Sequence, residues 1–91
     1  MRIRISELSG GLFEVVVEGP RTTTTHIVDV DDAYAEKLTS GRASKQDLIE
    51  KSFEFLLERE PNTAILRRFE LPVIQRYFPE YESVISGMLL D

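Results

Sequence analysis

Two short β-prone runs flank Gly10-Gly11: Arg-Ile-Arg-Ile-Ser-Glu-Leu at 2–8 and Leu-Phe-Glu-Val-Val-Val-Glu at 12–18. Successive side chains of a strand point to opposite faces, so the register of this hairpin is a question of parity. A two-residue loop at Gly10-Gly11 would set Ile5 opposite Val16, leaving Ile3 and Ile5 on the face away from Phe13, Val15 and Val17. A three-residue loop, Ser9-Gly10-Gly11, sets Ile5 opposite Val15, Ile3 opposite Val17 and Arg2 opposite Glu18. Only the second register makes one apolar face, and it adds a favourable charge pair. The sequence therefore predicts an odd loop with a glycine in the left-handed region of a bulged turn. Ile3, Ile5, Phe13, Val15 and Val17 should lie on the face that helices cover.

Gly19-Pro20 marks the next turn. The run Thr-Thr-Thr-Thr-His-Ile-Val-Asp-Val at 22–30 reads as a third strand at an edge or half exposed, because β-branched threonines suit a partly solvated pleat. Asp31 and Asp32 then fit the start of a short helix that Gly41 stops. Ser44-Lys45-Gln46-Asp47 resembles a capping box for the main helix, in which Leu48, Ile49, Ser52, Phe53, Leu56 and Leu57 form the apolar face, widened by Phe55. Pro61 should end that helix near Glu60. Three short helices are expected beyond it. The first is capped by Asn62 and carries Ile65, Leu66 and Phe69; the second follows Pro72 with Val73, Ile74, Tyr77 and Phe78; the third follows Pro79 with Tyr81, Val84, Ile85 and Met88. The expected fold class is α+β: an N-terminal three-stranded antiparallel β-meander (1–30) packed against four or five C-terminal helices (31–91), in a single domain of 91 residues.

A chain of this length buries roughly two-thirds of its unfolded surface, so its stability margin is modest. It holds no cysteine and one histidine, so neither a disulfide nor a zinc staple is available to it. No cofactor or metal is expected. There is no apolar run of membrane-span or signal-peptide length, and the expected location is the cytoplasm. The net charge is −5, and no third of the chain has more basic than acidic side chains, so a phosphate backbone is not the expected partner.

A catalytic triad cannot be assembled around His26, since Asp29, three residues on, falls on the other face of a strand. The Asp29, Asp31 and Asp32 cluster lacks the spacing and glycine of a calcium loop, and Gly10-Gly11 is not followed by the helix of a phosphate loop. His26 is expected to be half-buried and locally hydrogen-bonded. Arg67, Arg68 and Arg76 lie among aromatic residues at core spacing, so their stems are expected to cover the edges of the core. The surfaces left for binding are the outward threonines, Thr23 and Thr25, and the acidic column Glu50, Glu54 and Glu58, spaced four apart. Met88-Leu89-Leu90 should dock internally or in a twin subunit.

Two resemblances add to this. The strand His26–Val30, the acidic helix start Asp31-Asp32, the Gly41-Arg42-Ala43-Ser44 turn and the helix opening Asp47-Leu48-Ile49-Glu50 resemble, over 26–60, a ribbon-helix-helix module. HicB-type antitoxins join such a DNA-binding segment to a β-meander, so this resemblance implies a repressor or antitoxin. Ser52-Phe53-Glu54-Phe55-Leu56-Leu57-Glu58-Arg59-Glu60-Pro61 and Arg76-Tyr77-Phe78-Pro79-Glu80-Tyr81 are similar to segments of short bacterial proteins of no assigned role. The leading expectation is a non-enzymatic protein-interaction or regulatory module that forms a homodimer; the alternative is the DNA-binding regulator.

Overall fold

The computed structural model describes residues 2–90, with the side chain of Leu90 left aside. Four strands, β1 (Arg2–Ser9), β2 (Leu12–Glu18), β3 (Thr23–Asp29) and β4 (Arg68–Glu70), combine with four helices, α1 (Asp32–Thr39), α2 (Lys45–Leu57), α3 (Val73–Tyr77) and α4 (Tyr81–Leu90). The class is α+β. The sheet is mixed, with order β1-β2-β3-β4; its first three strands are antiparallel and β4 runs parallel to β3.

The hairpin has the register that parity requires: Ile5 faces Val15, Ile3 faces Val17 and Arg2 faces Glu18. The odd residue, however, sits in the strand and not in the loop. Ser9 pairs with Leu12 across Gly10-Gly11, and the register shifts between Glu7 and Ser9, leaving Leu8 without an opposite residue. Gly11 takes the left-handed conformation (φ 82°). Its carbonyl accepts the Val30 N–H at 2.7 Å, and a Cβ there would lie 2.8 Å from the Val30 oxygen. Glycine is thus required twice over, by φ and by space.

Phe13, Val15, Val17 and Val28 are buried on one face of the sheet, while Ile3 and Ile5 are half-buried beside them. α2 lies against this face. Its cap is the anticipated box: the Ser44 hydroxyl accepts from Asp47 N–H and the Asp47 carboxylate accepts from Ser44 N–H. The helix ends at Leu57, three residues before Glu60; Arg59 and Glu60 N–H groups both turn back to the Leu56 carbonyl. Phe53 points into the sheet between His26 (ring centroids 5.5 Å apart) and Phe69 (6.2 Å). Phe55, two positions on, points to the other side, edge-on to Phe78 (5.7 Å) and Tyr81 (5.3 Å). α2 is therefore packed on two sides, which is why its apolar face is wider than a single stripe.

The helical reading of 62–69 is corrected. Ile65, Leu66 and Phe69 do not belong to a helix. Asn62–Ala64 forms only a 3-10 turn, and the chain then extends into β4. The reason is the edge of β3, whose backbone groups need partners once its side chains are buried. Ile27 N–H donates to the Arg67 carbonyl at 2.8 Å and Leu71 N–H donates to the Asp29 carbonyl at 3.0 Å. Phe69 and Leu71 point inward while Arg68 and Glu70 are exposed, the alternation of a strand. The meander is thus extended by a fourth strand drawn from the half of the chain expected to be helical.

The Tyr81 hydroxyl is fully buried and lies 2.6 Å from Ser52 Oγ, which donates onward to the Leu48 carbonyl at 2.7 Å. Because Ser52 spends its proton on Leu48, the tyrosine must be the donor in the pair. Tyr81→Phe is expected to cost about 1–2 kcal/mol and Ser52→Ala a little more, because the alanine strands a buried phenol. The double variant should recover part of the sum. Urea denaturation of the three variants measures this, and strictly additive losses would show that the two hydroxyls are not coupled.

Candidate functional site

Two open surfaces stand out. The first is a groove of about 310 Å³ between the end of α2, the 62–69 segment and α3. Phe69, Ile74 and Phe78 form its apolar floor and walls, and Leu66 and Tyr77 stand at its rim, 47% and 66% exposed. A large aromatic left mostly in water at the mouth of an apolar cleft is unusual for a surface without a partner. Glu60 is the one charged residue lining the groove, and among the described residues it makes no salt bridge. Partial burial against apolar neighbours holds its carboxyl above the usual range.

The loop that walls this groove is pinned from beneath by a buried polar chain. Asn62 Nδ2 donates to the Thr22 carbonyl (3.0 Å) and to Thr24 Oγ1 (3.1 Å). Thr24 Oγ1 is 2.8 Å from His26 Nε2, and His26 Nδ1 is 2.8 Å from the Leu66 carbonyl. A carbonyl can only accept, so Nδ1 carries the proton; Nε2 then accepts from the threonine hydroxyl, which in turn accepts from Asn62. The hydrogen bonds thus run in one direction, from Asn62 through Thr24 and His26 to the Leu66 carbonyl. Burial lowers the His26 pKa; the Leu66 hydrogen bond opposes that shift, and the nearby Arg67 charge reinforces it. His26 is fully buried, more so than the half-buried strand residue expected, because β4 covers the edge beside it.

The second surface is the free edge of β1. Among the described residues this strand pairs only with β2, so its other side carries unpaired backbone groups. Beside it, a depression of about 400 Å³ is lined by Ile3, Glu54, Leu57, Glu58 and Met88. Ile3, Ile5, Leu57 and Met88 pack on the core here but remain only partly covered.

The structure does not bring the anticipated binding residues together. Thr23 and Thr25 lie exposed on the uncovered face of the sheet, opposite Glu18 and Val16, whereas Thr24 turns inward. Glu50 and Glu54 are half-buried and only Glu58 is exposed. Glu54 lies 3.6 Å from Lys51 and Glu58 lies 3.8 Å from Arg59, so the acidic column is partly neutralised by adjacent basic side chains. Two of its three members, Glu54 and Glu58, still border the β1 depression. The arginine that covers the core is Arg59, whose guanidinium sits 3.6 Å from the Phe55 ring centre; Arg67, Arg68 and Arg76 are exposed. Glu60, Leu66 and Tyr77 were not legible as site residues. Tyr77 occupies a core position of a helical pattern, but five-residue α3 buries only Ile74.

Over Ile27–Asp29, within the stretch that carries the ribbon-helix-helix resemblance, β3 is paired on both sides, with β2 and with β4. Asp29 is exposed on its outward face. Among the described residues no three His, Cys, Asp or Glu side chains converge as a metal site, and no helix is long and apolar enough to cross a membrane. Compared with family models, curated proteins and solved structures, the chain matches none.

Proposed function

We propose that this protein is a non-enzymatic, cytoplasmic protein-interaction module that acts as a homodimer, with β1 of each copy joined across a two-fold axis. The observation that carries this reading is the coincidence of an open strand edge with an unfinished apolar wall, Ile3, Ile5, Leu57 and Met88. Edge backbone groups supply hydrogen bonds, and the wall supplies the apolar area a stable interface needs. Two strands related by a two-fold axis normal to the sheet must pair residues that point to the same face. Pairing Arg4 with its own counterpart would oppose like charges. Pairing Ile5 with its own counterpart sets Arg4 against Ser6 of the partner subunit and brings the two half-covered Ile5 side chains together, so this is the favoured register. The non-enzymatic part of the reading is supported by His26, whose two ring nitrogens are both engaged inside the core.

Sedimentation velocity over a range up to about 100 µM should show a concentration-dependent dimer. Ile5→Lys places an inward charge on the edge, a device that blocks strand pairing, and should leave a monomer. Met88→Lys, farther from the sheet, should weaken the dimer without disturbing the far-UV circular dichroism. A wild-type protein that stays monomeric throughout the range overturns the proposal.

A further inference from the structure

The groove beneath Tyr77 is separate from the β1 edge, and its chemistry is specific. We infer that it binds an extended segment of another protein through one basic side chain, held by Glu60, and an adjoining apolar side chain, seated against Phe69, Ile74 and Phe78. Three features point to this occupant. The lining is apolar except for a single carboxyl, so one cation is complemented and no more. That carboxyl has no salt-bridge partner among the described residues; half-buried Glu14 and Glu50 share this, but Glu60 does so on the wall of an apolar groove. A carboxylate at an apolar wall gains most from a cation that brings its own aliphatic stem, as lysine and arginine do. Finally, Leu66 and Tyr77 line the rim of the groove and remain largely exposed. A peptide running across the rim covers both, and its cation can approach the Tyr77 ring face.

The protein also holds the groove in shape before any ligand arrives. Its 62–66 wall is fixed to β3 through Asn62 and His26, so little ordering remains to be done on binding. The net charge of −5 favours approach of a basic segment.

The test uses three matched probes on the ¹⁵N-labelled full chain: 3-phenylpropylamine, 3-phenylpropan-1-ol and 3-phenylpropanoate, each titrated to about 10 mM at low salt. The amine should shift the backbone amides of Glu60, Leu66, Phe69 and Ile74 and bind about threefold more tightly than the alcohol, the scale of a partly exposed ion pair. The propanoate should bind most weakly. Glu60→Gln should abolish the preference for amine over alcohol while leaving the alcohol shifts in place, and Glu60→Lys should turn the preference toward the propanoate. Equal binding of all three probes to the wild type, or groove amides that none of them moves, overturns the inference. Failure of the β1 dimer would leave these titrations unaffected.

Discussion

Phe53→Ala is expected to remove about 3–5 kcal/mol of folding stability, the range for truncating a buried aromatic side chain. Phe53 is fully buried, and its ring is the contact that joins α2 to the sheet, with His26 on one side and Phe69 on the other. Neither neighbour is free to move into the space. His26 is held at both nitrogens and Phe69 is fixed by the ladder between β3 and β4. The cavity should therefore stay open, which puts the loss toward the top of the range. A domain of this size has total stability of about 5–15 kcal/mol, so the variant should be largely unfolded at moderate urea or with mild heating. Phe53→Leu, which keeps more of the volume, should lose clearly less. Chemical denaturation followed by circular dichroism measures both, and an alanine variant within about 1 kcal/mol of wild type would show that this contact does not join the layers.

The second large effect is at His26. His26→Leu keeps the bulk but leaves the Leu66 carbonyl and the Thr24 hydroxyl without their ring partner, and is expected to cost about 2–4 kcal/mol. His26→Asn can present a donor near the position of Nδ1 and should recover part of this by meeting Leu66 again. The wild-type histidine also makes stability depend on pH in a defined direction. Its folded pKa lies below the ordinary histidine value of about 6.5, so in that interval the unfolded chain binds the proton and the folded chain does not. The contribution is complete above about pH 6.5 and is lost as pH falls through the interval toward the folded value. Subtracting the stability curve of His26→Leu from that of wild type should isolate the slope. The Asp32 carboxyl, held below its usual range by hydrogen bonding and charge from Lys45, acts in the same direction but in a lower window. A difference curve that is flat between pH 5 and 7 (roughly, the range where histidine titrates) would show that burial does not restrain the His26 proton.

The features that sequence reasoning reached are those fixed by neighbours close in the chain. Hairpin parity, the Ser44–Asp47 box and the Asp31 cap are each decided within a few residues, and each is present. β4 was not reachable in this way. Ile65, Leu66 and Phe69 happen to satisfy a helical spacing, while the real reason for an extended conformation is the edge of β3, about forty residues earlier; the His26–Leu66 contact spans 40 positions. The inward Phe69 and Leu71 around outward Glu70 were the only local sign, and three residues are too few to separate a strand from a helix turn. The site was hidden for a related reason. Tyr77 and Leu66 count as core residues in any periodic pattern, and only the shortness of α3 and the turn at Asn62–Ala64 leaves them at a rim. Thr24 illustrates the same limit: in a run of four threonines, only the register with β2 decides which one turns inward.

The parallel pairing of β4 with β3 has a consequence for synthesis. The ribosome releases the amino-terminal end first, so β1, β2 and β3 can associate while the remainder is still being made. Until Arg68–Glu70 emerge, β3 is the last strand of that sheet, and Ile27 and Asp29 have no partners on that side. Asn62 and Leu66 are missing too, so His26 and Thr24 lie in an incomplete polar chain. The nascent chain therefore ends its sheet in the seven-residue β3, where the finished sheet ends in the three-residue β4, and the longer edge stays open to mispairing until the second half of the chain covers it.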